Sequence, residues 1–279
     1  MRPRHLLGLS AHGFHRVAYY EWGDPPNPRV VICVHGLTRN GRDFDALARS
    51  LAPTHRVLAV DMPGRGESDW LRDPLDYAFP TYLGTLTALI AGSGADAIDW
   101  VGTSMGGLLG MVMAAQPDTP VRHLVVNDIG PAIEPAALSR ISEYVGATPT
   151  FDSLADAIEH IRKVSAPFGN LSAEQWHALT RSSVVQRDQG RWHLRYDPAI
   201  AVPFKAAPAP PNLWPVWDAI RCPTLLLRGR DSDLLAPATA QAMTQRGPRP
   251  QLVEFDGVGH APALLDPAQI EPIVAFLRG

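Results

Sequence analysis

The chain predicts an α/β fold: a mostly parallel central sheet flanked by helices, interrupted by one helical insertion. Three observations carry this reading. Short, almost purely apolar runs alternate with longer helical patterns through the first half of the chain. Those runs lack the in-out alternation of half-exposed strands, as a sheet covered on both faces requires. From about residue 131 to 215 no comparable run occurs, and beyond it the alternation resumes.

Taken in order, residues 16–22 predict an early strand and residues 29–34 a strand buried on both faces. Residues 43–51 place Phe44, Leu47, Ala48 and Leu51 at helical spacing. A second buried strand is predicted at 56–60. A helix at 82–91 follows, stopped by Gly92-Ser93-Gly94. A strand at 97–101 runs directly into Gly102-Thr103-Ser104-Met105-Gly106-Gly107. A helix at 108–116 comes next, closed by Pro117, and then a strand at 121–126. Such repeated strand–helix alternation implies a mainly parallel sheet. Within the insertion, 136–145, 154–164 and 173–186 read as helices. A proline-rich stretch at 202–211 reads as a rigid return segment. A strand at 224–227, a helix at 238–246, a strand at 252–255 and a helix at 268–277 complete the chain. The expected organisation is a core of residues 1–130 and 216–279 with an insertion at 131–215.

Composition narrows the function. At 279 residues, with 46% apolar and 19% charged residues, the chain is ordinary globular protein with room for a large core. A net charge of −3 and no run of Lys and Arg argue against nucleic-acid and membrane-surface partners. Of the two cysteines, Cys33 sits in an apolar run, and neither Cys33 nor Cys222 has a metal-ligand spacing or suggests a disulfide framework. The apolar stretch near the N-terminus is short and soon broken by His12 and His15, so the expectation is a soluble cytoplasmic protein.

The chemistry concentrates on Gly102-Thr103-Ser104-Met105-Gly106. A serine between a buried strand and a helix must occupy a very tight turn, and the residues two before and two after it must be small. Gly102 and Gly106 meet that condition. The turn would expose the Ser104 hydroxyl and bring the Met105 N–H to a helix N-terminus, facing a developing oxyanion. A serine hydroxyl needs a base, and the base an orienting acid. His260 follows the last strand in Asp256-Gly257-Val258-Gly259-His260 and is the candidate base. His123, His160 and His177 fall in a strand or in insertion helices. Asp233 is the preferred acid, with Asp231 beside it and Asp128, after the 121–126 strand, as a third candidate. The second oxyanion donor is expected from His35-Gly36-Leu37-Thr38-Arg39-Asn40, through the Leu37 N–H, with His35 holding the loop by hydrogen bonds.

These pieces resemble the α/β-hydrolase superfamily in its esterase, lactonase and carbon–carbon-bond hydrolase branch. The matching residues are Val34-His35-Gly36-Leu37, Asp61-Met62-Pro63-Gly64-Arg65-Gly66-Glu67-Ser68-Asp69, Val101 to Gly107, Gly229 to Pro237, and Gly259-His260. The resemblance implies a catalytic triad of Ser104, Asp233 and His260, and an oxyanion hole of Leu37 and Met105. It also implies a cap formed by the insertion, and a structural role for Asp61. One departure stands out: the family's acid commonly falls three residues after the strand-ending glycine, and here that position is Ser232. Serine at 104 excludes the aspartate nucleophile of epoxide hydrolases and dehalogenases. The implied activity is a serine esterase for small to medium acyl groups, using no metal or organic cofactor. Lactone opening and carbon–carbon cleavage of vinylogous diketo acids use the same machinery, and a non-catalytic ligand receptor is the alternative of another class. The expected partner is a small-molecule ester or lactone, and a homodimer is compatible with the sequence. Trp176, Trp192, Trp214, Trp217 and Phe168 are candidate pocket aromatics, and Arg39 and Arg42 candidate contacts for a substrate carboxylate.

Overall fold

The computed structural model describes residues 1–206 and 212–278. The second half of the proline-rich stretch, 207–211, lies outside the described residues. The chain opens with a hairpin, β1 (Arg2–Ser10) and β2 (Gly13–Trp22), followed by β3 (Val30–Val34), α1 (Asp45–Leu51), β4 (Arg56–Val60), α2 (Phe79–Ser93), β5 (Ile98–Thr103), α3 (Met105–Ala114) and β6 (Val121–Asn127). The insertion contributes α4 (Pro135–Tyr144), β7 (Thr150–Phe151), α5 (Leu154–Val164), α6 (Ala173–Ser183), β8 (Val184–Arg187), β9 (Arg191–Leu194) and α7 (Ala201–Ala206). The core resumes with α8 (Trp214–Ala219), β10 (Thr224–Gly229), α9 (Pro237–Met243), β11 (Gln251–Phe255) and α10 (Pro267–Arg278).

Eight strands form one sheet in the order β1-β2-β4-β3-β5-β6-β10-β11. The β1/β2 and β2/β4 pairs are antiparallel, and every pairing from β4 to β11 is parallel. The pleat sends successive side chains to opposite faces. Ile32, Val34, Leu58, Val60, Trp100, Leu124, Val126 and Leu226 enter one core, together with residues of α2, α3 and α8. Their neighbours Val31, Cys33, Val57, Ala59, Val101, Val125, Leu225 and Leu227 enter the other, against α1 and α10. Double-sided burial is why these strands read as continuous apolar runs. Cys33, wholly buried, is one of these core residues.

The sheet order reverses at β3, whose neighbours are β4 on one side and β5 on the other. At such a switch point the loops leaving adjacent parallel strands diverge and leave a crevice at the strands' carboxyl ends. The loops after β3 and β5 carry His35 to Asn40 and Ser104, so the topology brings the two motifs together.

One element was not foreseen, and one expectation needs correction. The N-terminal stretch is an edge strand, β1, which the sequence pattern did not single out. The insertion is not purely helical: β7, β9 and β8 form a three-stranded antiparallel sheet. The predicted helix at 173–186 ends at Ser183, and Val184 begins β8. These strands are two to four residues long and mostly half-exposed. They lack the apolar run that marks a buried strand, and they are too short for alternation to register. Among the described residues no helix is long and apolar enough to cross a membrane.

Asp61 follows β4 and is wholly buried. It accepts hydrogen bonds from the N–H groups of Gly41 (2.7 Å) and Glu67 (2.8 Å) and from the Tyr20 hydroxyl (3.3 Å), tying three segments together. Burial pushes its carboxyl up to about 7, outweighing the hydrogen bonds that favour the charged form. A group that holds its proton more tightly folded than unfolded lowers stability as pH rises from the unfolded value of 3.8 toward about 7. Asp61→Asn removes that slope. Urea unfolding from about pH 4 to about pH 8 should therefore show wild-type stability falling relative to the variant; parallel curves would contradict the buried carboxyl's contribution.

Candidate active site

The site is built on the turn between β5 and α3. Ser104 sits there at φ 53° and ψ −115°, a region that L-residues rarely adopt. Such a conformation costs about 1–3 kcal/mol and persists only where the surroundings over-determine it. Here they do. The Ser104 N–H donates to the Asn127 carbonyl at 3.0 Å, and the Ser104 carbonyl accepts from Gly107 (2.8 Å) and Leu108 (3.0 Å) in the first turn of α3. The Trp100 indole N–H holds the Gly106 carbonyl at 3.0 Å. A Cβ on Gly102 would strike the Gly106 carbonyl, and one on Gly106 would strike the carbonyl of Val34 in β3. The two glycines let α3 start hard against the sheet.

Three side chains are hydrogen-bonded in series. Ser104 Oγ lies 3.0 Å from His260 Nε2, and His260 Nδ1 lies 2.8 Å from Asp128 Oδ2. The serine and the histidine expected from the sequence are thus brought together, but the carboxylate on the imidazole is that of Asp128. Asp128 is wholly buried and stands directly after β6. The β6/β10 register pairs Asn127 with Leu227, which sets Asp128 beside the end of β10. Its N–H donates to Leu227, and its carboxylate accepts from the Gly229 N–H (3.0 Å) and the Ser232 hydroxyl (2.6 Å).

Asp233 does not reach His260. Its carboxylate pairs with Arg140 of α4, at 2.6 Å to Nε and 3.0 Å to Nη2. Burial pushes the Asp233 carboxyl up, but the Arg140 hydrogen bonds and charge outweigh it and hold the group below its ordinary range. The turn after β10 explains the exchange. Ser232 N–H bonds back to the Gly229 carbonyl, which turns the Ser232 side chain inward and leaves Asp231 and Asp233 exposed. The signal was Ser232 itself: where the family's acid is usual, a hydroxyl stands, and here that hydroxyl donates to the carboxylate supplied by β6.

The loop after β3 lies against the Ser104 turn. A Cβ on Gly36 would be 3.6 Å from Ser104 Cβ. His35 is wholly buried, its Nδ1 2.6 Å from the Gly36 carbonyl and its Nε2 3.0 Å from the Met62 N–H. Burial pushes the imidazole down to about 3, so it is neutral, with Nδ1 donating and Nε2 accepting. Among the described residues, neither the Leu37 N–H nor the Met105 N–H has a protein acceptor. Sequence reasoning overlooked Arg65. It is wholly buried, donates to the carbonyls of Leu37 (2.8 Å) and Pro63 (2.7 Å) and to the Tyr82 hydroxyl (2.8 Å), and lies over the Tyr77 and Tyr82 rings. Arg65 thereby holds the peptide between Leu37 and Thr38, while His35, through the Gly36 carbonyl, holds the peptide that carries the Leu37 N–H. An arginine between two glycines, Gly64 and Gly66, was its sequence signal.

The expected pocket aromatics pack elsewhere. Trp217 is buried in the main core, and Trp214 lies under Arg246. Trp176 and Trp192 serve two small cores inside the insertion. Phe168 faces the Arg39 guanidinium, whereas Arg42 turns away to Asp45 and the Tyr20 ring.

The family model described as the alpha/beta hydrolase family matches residues 31–272. With this fold and this turn, the chain belongs to the alpha/beta hydrolase family. It is 44% identical to the 3-hydroxybutyrate-oligomer hydrolase of Cupriavidus necator, over 97% of this chain and 96% of that protein. It is 27% identical to an esterase of Mycobacterium tuberculosis, over 82% of this chain and 75% of that protein. A crystal structure of an alpha/beta hydrolase from Novosphingobium aromaticivorans superposes with a TM-score of 0.89 at 37% identity, covering 99% of this chain and 98% of that one.

Gly106→Ala should destabilise the protein by about 3 kcal/mol or more, because the obstacle is a backbone carbonyl that cannot step aside. Urea unfolding checks this, and wild-type stability in the variant would contradict the close approach of α3 to β3.

Proposed function

We propose that the protein hydrolyses carboxylic esters of small to medium acyl groups through an acyl-enzyme on Ser104. The observation that carries this reading is the hydrogen-bonded series Ser104–His260–Asp128, with spacings of 3.0 and 2.8 Å. His260 Nε2 takes the Ser104 proton as Oγ attacks the ester carbonyl, and Asp128 stabilises the imidazolium through Nδ1–H. The negative charge that develops on the carbonyl oxygen is met by the Leu37 and Met105 N–H groups. When the C–O bond breaks, the leaving alcohol takes the proton from Nε2. Water then gives a proton to His260 and attacks the acyl carbonyl. Collapse releases the acid and returns the proton to Ser104 Oγ.

The insertion at 131–215 acts as a cap over this site. In support, Gly259 next to the base donates to the Pro167 carbonyl at 2.6 Å, and Asn40 of the oxyanion loop donates to the Ser182 carbonyl at 3.1 Å. The 44% identical relative, named as a hydrolase of 3-hydroxybutyrate oligomers, favours short oligoesters of hydroxy acids as the substrates.

Turnover of p-nitrophenyl butyrate and of the linear 3-hydroxybutyrate dimer tests the assignment. Ser104→Ala should lose more than about a thousandfold in kcat. Asp128→Asn should lose about ten-thousandfold through the wrong imidazole tautomer, while Asp233→Asn stays within about threefold of wild type. Equal losses in the two aspartate variants would overturn the role of Asp128, and full activity in Ser104→Ala would overturn the nucleophile.

A further inference from the structure

A small cavity of about 60 Å³ opens between the loop after β3 and the insertion, with Thr38, Arg39, Tyr144, His160, Ser165 and Tyr196 among its walls. We propose that this cavity seats a free carboxylate on the substrate, and that Arg39 selects acidic esters over neutral ones. The proposal rests on the ester-hydrolase reading and names the substrate class for that site.

Arg39 has the surroundings of a binding group rather than of a solvated tether. Its side chain is only 11% exposed. Asp43 fixes one edge of the guanidinium, accepting from Nε at 2.8 Å and Nη2 at 2.6 Å. The Phe168 ring lies 5.9 Å from its Cζ. Position and plane are therefore set before a ligand arrives. Among the described residues no acceptor takes the Nη1 hydrogens, which leaves them for an incoming carboxylate, the acceptor that a guanidinium matches best. Thr38, Tyr144 and Ser165 add hydroxyl donors to the same walls. The Tyr196 hydroxyl is already committed to the Ala147 carbonyl.

The acids near the cavity are already paired, so none faces an incoming anion unneutralised. Asp43 is tied to Arg39, and the acid near Tyr144 is Asp233, neutralised by Arg140. His160, in the opposite wall, is kept on the neutral side by burial and by Lys163.

The cavity is also correctly placed. A Cβ on Gly36 would be 3.6 Å from Ser104 Cβ and 3.8 Å from Arg39 Cγ, so the nucleophile and the arginine flank a single residue. The space is sufficient for a carboxylate and its neighbouring carbons. The geometry therefore favours esters whose acid group lies a few bonds from the scissile carbonyl, as at the acid end of a short hydroxy-acid oligoester.

The test compares the linear 3-hydroxybutyrate dimer with its methyl ester, which differ in that one charge. The wild type should favour the free acid in kcat/KM. Arg39→Gln should reduce the acid-to-methyl-ester ratio by about tenfold to a hundredfold, chiefly through KM for the acid. Arg39→Lys, which keeps the charge but not the fork, should restore part of the ratio. A damaged fold lowers both substrates together and leaves the ratio unmoved, so an unchanged ratio overturns the proposal, as does a wild type with no preference for the acid. A wild type inert toward both dimers and p-nitrophenyl butyrate would overturn the ester-hydrolase reading instead.

Discussion

The site depends on the contact between the start of α3 and β3. Ser104 holds its strained backbone where Gly106 packs on the Val34 carbonyl and Gly102 on the Gly106 carbonyl, with no side chain between them, so that the hydrogen bonds of the turn can form. The contact raises the serine hydroxyl clear of the sheet and begins a helix directly behind it. It exists because the strand order puts β3 next to β5 at the point of reversal. A larger residue at either glycine would separate the helix from the sheet, and the loop after β3 would no longer meet the serine.

Around this contact, buried polar side chains do what apolar packing cannot: they fix the direction of individual peptides. His35, kept neutral by burial, links the Gly36 carbonyl to the Met62 N–H. Arg65 holds the Leu37 carbonyl, with two tyrosine rings accommodating its charge. Asp61 gathers the Gly41 and Glu67 N–H groups. Each satisfies backbone groups that would otherwise be buried unpaired, so the loops are held as firmly as the strands they follow. Such rigidity suits a site in which dipoles must stand ready before charge develops.

The insertion is joined to the core at several places around the site. The Gly259–Pro167 bond steadies the loop bearing His260, Arg65 forms an isolated bridge with Tyr196, and Arg140 engages Asp233 at the margin. Asp233 thus connects the two parts of the chain through an ion pair whose side chains remain 35% and 47% exposed, where screening by water keeps the pair weak. The cavity beside Arg39 lies along the same seam, with walls drawn from both parts.

Local physics made much of the protein legible in the sequence. Double-sided burial wrote the parallel strands as apolar runs. The tight turn demanded glycines at 102 and 106, and a glycine-rich loop after the last strand marked His260. The hairpin edge β1 and the short strands β7, β8 and β9 escaped, because partial exposure and shortness erase that periodicity. The carboxylate that meets His260 escaped for a different reason. Asp128, Asp231 and Asp233 all stand at the carboxyl ends of neighbouring strands, and the one local sign among them, Ser232 where the family's acid is usual, points away from Asp233 without naming a replacement. The choice was made through space: the β6/β10 register set Asp128 beside Gly229, and the turn at Ser232 directed Asp233 outward to Arg140. The sequence by itself determined the fold and singled out Ser104 and His260, because each of those signals is local, a pattern confined to a few neighbouring residues. Only the tertiary structure decided which carboxylate meets the imidazole and which arginine faces the cavity, because those pairings join residues far apart along the chain.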